Sequence, residues 1–559
     1  MARSASVSTD TPERHAASSR WAPWLSLLLV LAIFESAWIG LSLGQPPLLP
    51  DEPREAAIAL EMVQSGAWAV PTLNGRPFVE KPPLAYAAAA LACRLTGVDA
   101  MGALRLPQLL ATLTTLAALV ALGRRLGGAA PGLVCALLLA TTGEFLRTSL
   151  RLVVDPELMA WTSTAVLATV EWWLAERRAA RAGWWVATSM CLALAVATKG
   201  PVALVYHGCA ALGLWLFGGR AELRRLPALV AAYLVSLVPL GVWALALLAR
   251  GGRALVSEAL LRNSWGRFSQ AELGHKAPLW FYAKVLPVVL VPWTLLVLVG
   301  CVAAYRGARE AGSPGRATVL RASLGWALGS LLVLSASAAK RELYLLPALP
   351  AWTLLAGAAL TDAGRAQHLK GLPRFALLAT LVGLAGVSAG LGLLLPLQGH
   401  LEALLLVVPA LIFAVLVGTA WRHWPANAGA LLFAATALAV AGVAPWLRER
   451  DAARASIEPA RSALMLAAER ADRVYGVSLR ERDVSVLSFT LRQRFTELQD
   501  LAQLGGPDAP LAKRTLVVSS GTAPPALDPG ILEKASVEEV VSAPLGSQRL
   551  FLSTLVKRE

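Results

Sequence analysis

Charge is what this sequence has least of. Asp, Glu, Lys and Arg make up only 16% of its 559 residues while 56% are hydrophobic, against about 25% charged in an ordinary soluble domain. The shortage excludes a soluble globular chain, because repeated apolar runs of near-membrane length have to be placed somewhere. Cysteine is scarce too. The five present, Cys93, Cys135, Cys191, Cys209 and Cys301, lie in or beside apolar runs, so neither a disulfide framework nor a cysteine-based metal site is implied. No short-period repeat is evident. A formal charge of +15 raises the question of nucleic acid, but the arginines punctuate apolar runs instead of forming a basic stripe with interleaved aromatics, so no nucleic-acid partner is expected.

What is present reads as a polytopic helical membrane protein. The first apolar run, Trp21 to Leu43, is too long for a signal-peptide core and is followed by many more spans, so it is read as retained. Arg3, Arg14 and Arg20 before it favour a cytoplasmic N-terminus and send the next loop outward. Pro83 to Leu95 is short for a crossing and reads as a surface helix. Crossings then alternate through Leu106 to Leu122, a run from Ala130 to about Phe145, a span starting at Pro156, and runs near 184–198, 201–217, 226–249, 280–304, 322–338, 345–361, 375–396, 402–420 and 426–446. The basic clusters at Arg124 and Arg125, Arg177 to Arg181, Arg220 to Arg225, Arg306 to Arg321, and Arg365 to Arg374 all fall on the inside.

The expected fold is therefore an all-α polytopic membrane protein of about thirteen transmembrane helices, an odd number that leaves the C-terminus outside. A tail at 1–20 precedes a multi-span domain at 21–446, whose first outer loop occupies 44–105. From 447 to 559 acids and bases nearly balance, as in a small soluble domain of α/β type. A helical stretch near Ala453 to Val474 is followed by strand-like VSVLSF, TLVVSS and RLFLSTL, with no nucleotide or metal motif.

The stretch from Asp51 to Pro83, DEPREAAIALEMVQSGAWAVPTLNGRPFVEKPP, is too polar to follow a membrane helix without a job. Asp51 is placed to cap a helix with Pro53 in its first turn. Ala57, Ile58, Leu60, Met62 and Val63 recur at helical spacing, with Glu55 and Glu61 on other faces, until Gly66 stops the run. That pattern predicts an amphipathic helix on the bilayer surface. A turn at Asn74 and Gly75 and the adjacent Glu80 and Lys81 before two prolines complete the loop. A solvated loop with a helix cap is the bland alternative.

The order Asp-Glu-x-Arg, Gly-x-Trp-x-x-Pro, Asn-Gly and Phe-x-Glu-Lys-Pro-Pro resembles the first periplasmic loop of bacterial aminoarabinose transferases. These are GT-C type membrane glycosyltransferases that use polyprenyl-phosphate sugars and are related to protein O-mannosyltransferases. The resemblance covers about residues 45–350 and implies the same count of thirteen spans, with the active site and C-terminal domain on the periplasmic side of the bacterial inner membrane. The implied donor is an undecaprenyl-phosphate-linked sugar. The implied acceptor is lipid A, another glycan or a protein, since Pro53 and the Phe-Val-Glu-Lys-Pro-Pro variant fit the broader family better than an orthodox lipid A enzyme.

Outer loops are normally poor in Lys and Arg, yet these carry Arg54, Arg76, Lys81, Arg147, Arg151, Lys199, Arg262, Arg267, Lys276, Lys340 and Arg341. Phosphates suit such an excess, because guanidinium forks and ammonium groups bind their oxygens; snorkelling to lipid headgroups is the alternative for any one of them. By resemblance Lys81, Arg267, Lys340, Tyr344 and Lys199 are donor-phosphate ligands. Lys340 and Tyr344 lie in SASAAKRELYLLPALP, Arg267 in NSWGRFSQ and Lys199 in ATKGPVAL. The catalytic set is Asp51, Asp155, Arg54 and Glu80. Asp155 in RLVVDPELMAW also reads as a plain N-cap, and Glu157 is its weaker companion.

In the mechanism these groups imply, Lys81, Arg267 and Tyr344 stabilise the leaving phosphate while Asp51 serves as base for an alcohol acceptor or orients an acceptor phosphate that is already ionised. Asp155 and Arg54 position groups and balance charge. No metal is committed: Asp51, Glu52, Glu80 and Asp155, with His275 nearby, admit a divalent cation, but no ligand spacing recurs. The competing reading is a transporter or flippase of lipid-linked glycans, which expects charges within spans instead of in outer loops.

Overall fold

A computed structural model describes residues 42–97, 100–266, 277–309, 313–362 and 456–558, with isolated residues in 32–40 and 371–380. Most of the first expected span, those near 402–420 and 426–446, and nearly all of that near 375–396 lie outside the described residues. Within them five helices are long and apolar enough to cross a membrane: Met101–Arg124, Arg178–Lys199, Glu222–Asn263, Pro314–Ala336 and Glu342–Leu360. Asp155–Leu174, with 20 residues, adds a helix of about 30 Å that carries two acids in its first turn. The shorter apolar helices Ala129–Ala140 and Val202–Gly218 pack among them.

The span expected near 280–304 is broken in its middle. Phe281–Val289 and Thr294–Gly307 meet at a 107° bend. Pro287 and Pro292 account for it, since each lacks a donor and its ring crowds the preceding turn. Elsewhere the bundle closes tightly at glycines. A Cβ on Gly213 would sit 2.2 Å from the Arg321 carbonyl oxygen and 2.6 Å from the Gly325 Cα, so Val202–Gly218 and Pro314–Ala336 touch backbone to backbone. Leu110, Val186, Met190, Leu234, Leu245 and Leu332 are exposed on the outer faces of the helices, where a bilayer would cover them.

Among the described residues, basic turns assigned to the inside share one end of the bundle; the cluster at Arg365 to Arg374 lies outside the described residues. Arg125 pairs with Glu171, Arg316 donates to the Leu126 carbonyl, and the Arg225 guanidinium lies 4.5 Å from the centre of the Trp173 ring. The Asp51 loop, residues 144–155, Lys199 and residues 341–344 gather at the other end.

The loop helix, Glu52–Ser65, does not lie with one face free. It packs between Leu84–Thr96 on one side and helix Glu481–Leu491 of the C-terminal domain on the other, and Glu52, Glu55, Ile58, Ala59, Leu60 and Met62 are all buried. The expected amphipathic surface helix is thus an interior element. Its apolar periodicity marked the face toward Leu84–Thr96, and nothing local announced that a distant domain covers the other. After it, β1 (Thr72–Leu73) and β2 (Arg76–Pro77) form a hairpin whose two turn residues, Asn74 and Gly75, both have positive φ, 52° and 81°.

The C-terminal region is an α/β unit. Five strands, β3 (Arg473–Val477), β4 (Thr496–Leu498), β5 (Arg514–Gly521), β6 (Ala535–Leu545) and β7 (Gln548–Lys557), take the order β4-β3-β5-β7-β6, with β4, β3 and β5 parallel and the last two antiparallel. TLVVSS and RLFLSTL are strands as expected. VSVLSF is not; it belongs to helix Glu481–Leu491, where Val484, Leu487 and Leu491 recur at helical spacing and the Asp483 carboxylate accepts from the Arg480 N–H at 3.3 Å. The expected helix near Ala453 to Val474 runs Glu458–Glu469, and its tail is β3.

Candidate active site

Three acids in two turns of the loop helix meet different fates. Glu52 is fully sealed: its carboxylate takes a bidentate pair from Arg105, Nε to Oε1 and Nη2 to Oε2, both at 3.0 Å, and the backbone N–H groups of Leu48 and Leu152 at 2.9 and 2.7 Å. Arg105 also donates to the carbonyls of Ser42, Leu43 and Gln45. This clasp ties the loop at 42–52 to Arg105 and to the turn at Leu152.

Asp51 stands one residue earlier and is spent otherwise. It makes no side-chain cap bond. Instead Oδ1 accepts from Arg54 at 3.0 Å and Oδ2 from Arg341 at 2.8 Å. Burial alone would raise its pKa, but the Arg54 and Arg341 guanidiniums, with the Lys81 ammonium, hold the carboxyl well below the usual range. One helical turn on, Glu55 accepts from Arg54 at 3.0 Å and from Lys81 at 2.7 Å; it too is buried, and Lys81 and Arg54 keep it below the normal carboxylate value. Phe78 supports the cluster, with the Arg54 guanidinium 5.6 Å from its ring centre and Tyr86 edge-on at 6.0 Å. Glu80 adds its negative field to Arg54. The Phe-Val-Glu-Lys segment therefore supplies a platform, a field and a cation to the start of one helix.

A second cluster centres on Asp155. It is the first residue of its helix, with Val154 at the N-cap position; its Oδ1 accepts from Lys199 at 2.5 Å. That ammonium also lies 4.9 Å from the centre of the Tyr344 ring, and the Tyr344 carbonyl accepts from Tyr206 at 2.8 Å. Glu157 is buried nearby and takes a bond from Gln108 at 3.0 Å. Lys340 is buried, donates to the Ser337 carbonyl, and lines a groove of about 510 Å³ with Ala277, Pro278, Leu279 and residues 335–338. Arg267 and His275 lie outside the described residues. Among those described, no three of His, Cys, Asp and Glu converge as metal ligands.

The structure thus brings together Asp51, Arg54, Glu80 and Lys81, and separately Asp155, Lys199 and Tyr344. Two members were not singled out from sequence. Glu55 follows Asp51 by four residues, which puts both on one helix face, and Arg341 stood beside the favoured Lys340. The cluster also reaches the C-terminal domain, because Arg54 donates to Glu481 at 3.1 Å.

A family model described as dolichyl-phosphate-mannose-protein mannosyltransferase matches residues 80–245. An undecaprenyl phosphate-α-4-amino-4-deoxy-L-arabinose arabinosyl transferase of Pseudomonas fluorescens is 32% identical over 415 residues, 70% of either chain. This chain belongs to that arabinosyl transferase family. Its counterpart from Pseudomonas aeruginosa strain UCBPP-PA14 is 29% identical over 77% of this chain and 72% of its own. The fold agrees: ArnT from Cupriavidus metallidurans, in a crystal structure bound to undecaprenyl phosphate, superposes with a TM-score of 0.73 at 18% identity over 94% of this chain and 97% of that one. The archaeal oligosaccharyltransferase AglB from Archaeoglobus fulgidus follows at 0.50 with 12% identity, over 89% of this chain and 70% of its own. As a member of the arabinosyl transferase family the protein is a membrane glycosyltransferase, and the transporter reading gives way to transfer.

Proposed function

We propose that the protein transfers a sugar from undecaprenyl phosphate to an acceptor, lipid A, another glycan or a protein, at the periplasmic face of the bacterial inner membrane. The observation that carries this reading is the carboxylate of Asp51 clamped between Arg54 and Arg341, with Lys81 alongside, at the mouth of the bundle. About thirteen spans, a cytoplasmic tail at 1–20 and a periplasmic domain at 447–559 belong to the same reading.

In this mechanism the anomeric carbon of the donor leaves its phosphate as the acceptor oxygen attacks. The departing phosphate gathers negative charge, which Lys81, Lys199 and Tyr344 meet with preorganised positive charge and dipole, together with Lys340 and Arg267. Asp155 holds Lys199 in place. A carboxyl whose proton affinity two guanidiniums have lowered makes a weak base, so Asp51 orients the acceptor and balances charge more than it removes a proton.

The test is sugar transfer by purified protein in detergent from a radiolabelled undecaprenyl-phosphate sugar to extracted envelope acceptors. Asp51→Asn and Lys81→Ala should each lose transfer by about 10²-fold or more. Full activity in Asp51→Asn would remove that residue from the reaction, and movement of lipid-linked sugar across a bilayer without transfer would return the case to a flippase.

A further inference from the structure

Three carboxylates share the Arg54 guanidinium, and one of them belongs to another domain. Nη2 donates to Asp51 Oδ1 and to Glu55, each at 3.0 Å. Nη1 donates to Glu481 at 3.1 Å, its only acceptor among the described residues, and the buried Nε has none there. A planar group held through Nη2 alone can pivot on that nitrogen and slide across the Phe78 ring, whose centre lies 5.6 Å away. A second point of attachment fixes the plane, and it comes from 427 residues further along the chain.

Glu481 is carried on a well-fastened backbone. It is the first residue of helix Glu481–Leu491. At that helix start the fully buried Asp483 carboxylate accepts from the Arg480 N–H at 3.3 Å, the Ser520 hydroxyl at 2.6 Å and the Arg482 guanidinium at 3.2 Å. The Ser485 hydroxyl donates to the Glu481 carbonyl at 2.6 Å. Val484 and Leu487 share one core with Ile58 and Met62 of the loop helix, so the helix that carries Glu481 is packed directly on the one that carries Arg54.

An acid at a helix start has a plainer use, since it meets the positive end of the helix dipole and can help dock the domain. Docking has other fastenings. Gln64 donates to the Arg492 carbonyl at 3.1 Å, Arg494 pairs with Glu61 at 3.2 Å, Asn74 donates to the Phe495 carbonyl, and Leu48 bridges to Ser456. None of these links touches Arg54. What Glu481 alone adds is the second hold on the guanidinium that grips Asp51.

We infer that Glu481 is a positioning residue for sugar transfer: the C-terminal domain completes the site by fixing the plane of Arg54, and through Arg54 the direction in which Asp51 presents its carboxylate. The inference rests on the transferase reading and gives the C-terminal domain a part in it. The role is geometric, and no bond to Glu481 forms or breaks. Its carboxylate is half exposed, so its removal should show in the rate of transfer far more than in the stability of the fold.

The experiment measures kcat and the apparent KM for donor and acceptor with the full chain in detergent, a radiolabelled undecaprenyl-phosphate sugar and extracted envelope acceptors. Wild type is compared with Glu481→Ala, Glu481→Asp and Arg494→Gln, the last of which breaks a comparable link between domain and loop helix but leaves Arg54 alone. Glu481→Ala should lower kcat by ~10-fold, with both KM values and the unfolding temperature close to wild type. Glu481→Asp, which keeps the charge but draws it back by one methylene, should fall between. Arg494→Gln should leave kcat unchanged. An unchanged kcat in Glu481→Ala would overturn the inference. So would equal losses in Glu481→Ala and Arg494→Gln, because looser docking of the domain would then be the cause. A rise in either KM at constant kcat would also overturn it, by placing Glu481 in substrate binding. Wild type that transfers to no acceptor sinks the transferase reading and this inference with it, whereas wild-type transfer with any of the three overturning results sinks the inference only.

Discussion

Asp51 and Glu52 are neighbours in the chain and opposites in the structure. Glu52 has every lone-pair direction filled by donors that never leave: Arg105 and two backbone amides, with no contact with water. Asp51 is gripped by two arginines that themselves reach elsewhere, Arg54 to Glu55 and Glu481, and Arg341 into a cavity. A closed network fixes geometry. An open one with charge to spare can exchange partners with a substrate, and that difference separates the clasp from the site.

The comparison is sharpest in a pair of amides. Asp51→Asn should abolish transfer, by about 10²-fold or more, while lowering stability by only about 1 kcal/mol, since Arg54 keeps two other carboxylates. Glu52→Gln should do the reverse in kind: it leaves Arg105 buried without its counter-charge and costs about 3–5 kcal/mol, read as a fall in unfolding temperature in detergent. Equal destabilisation by the two variants would erase the distinction.

A further pair probes how the C-terminal domain holds the loop. Asn74 donates to the Phe495 carbonyl at 3.0 Å and to Glu497 at 2.7 Å, and accepts from the Phe495 N–H at 3.1 Å. Asn74→Ala also loses a residue suited to positive φ, so about 1–3 kcal/mol is expected, with faster proteolysis of the C-terminal domain as the readout. Glu481→Gln breaks only the link to Arg54. Glu481 is 52% exposed, so its stability effect should stay within about 0.2–1 kcal/mol.

The smallest effect is one of pH. The folded pKa of Asp51 is depressed, so the stability it contributes is fully present above the unfolded value of about 3.9 and is lost as pH falls through the folded one. Between pH 8 and 5 neither stability nor kcat/KM should change through Asp51. An acid limb near pH 6 that disappears in Asp51→Asn would show that the carboxyl titrates as an ordinary base.

Much of the site was readable because its parts are close in sequence. Asp51, Arg54, Glu80 and Lys81 lie in one loop, and residues that polar beside a membrane span invite attention. Arg341 and Glu55 were not readable in the same way. Arg341 acts across 290 residues. Glu55 has the local pattern of a surface helix's polar face, and only the C-terminal domain packed over that helix makes it an interior residue. VSVLSF misled for a related reason: its local pattern is that of a strand, but a cap at Arg480 and packing on the loop helix make it a helix.

By itself, then, the sequence determined that this is a helical membrane protein with a charged loop after its first apolar run, because apolar run length and the clustering of charge between runs are local properties of the chain. Only the tertiary structure decided which carboxylate is closed in a clasp and which is held by arginines that reach further. Asp51 and Glu52 are chemically near-identical groups, and the donors that fill one and leave the other open come from residues 105, 152 and 341, brought together by packing that no local pattern encodes.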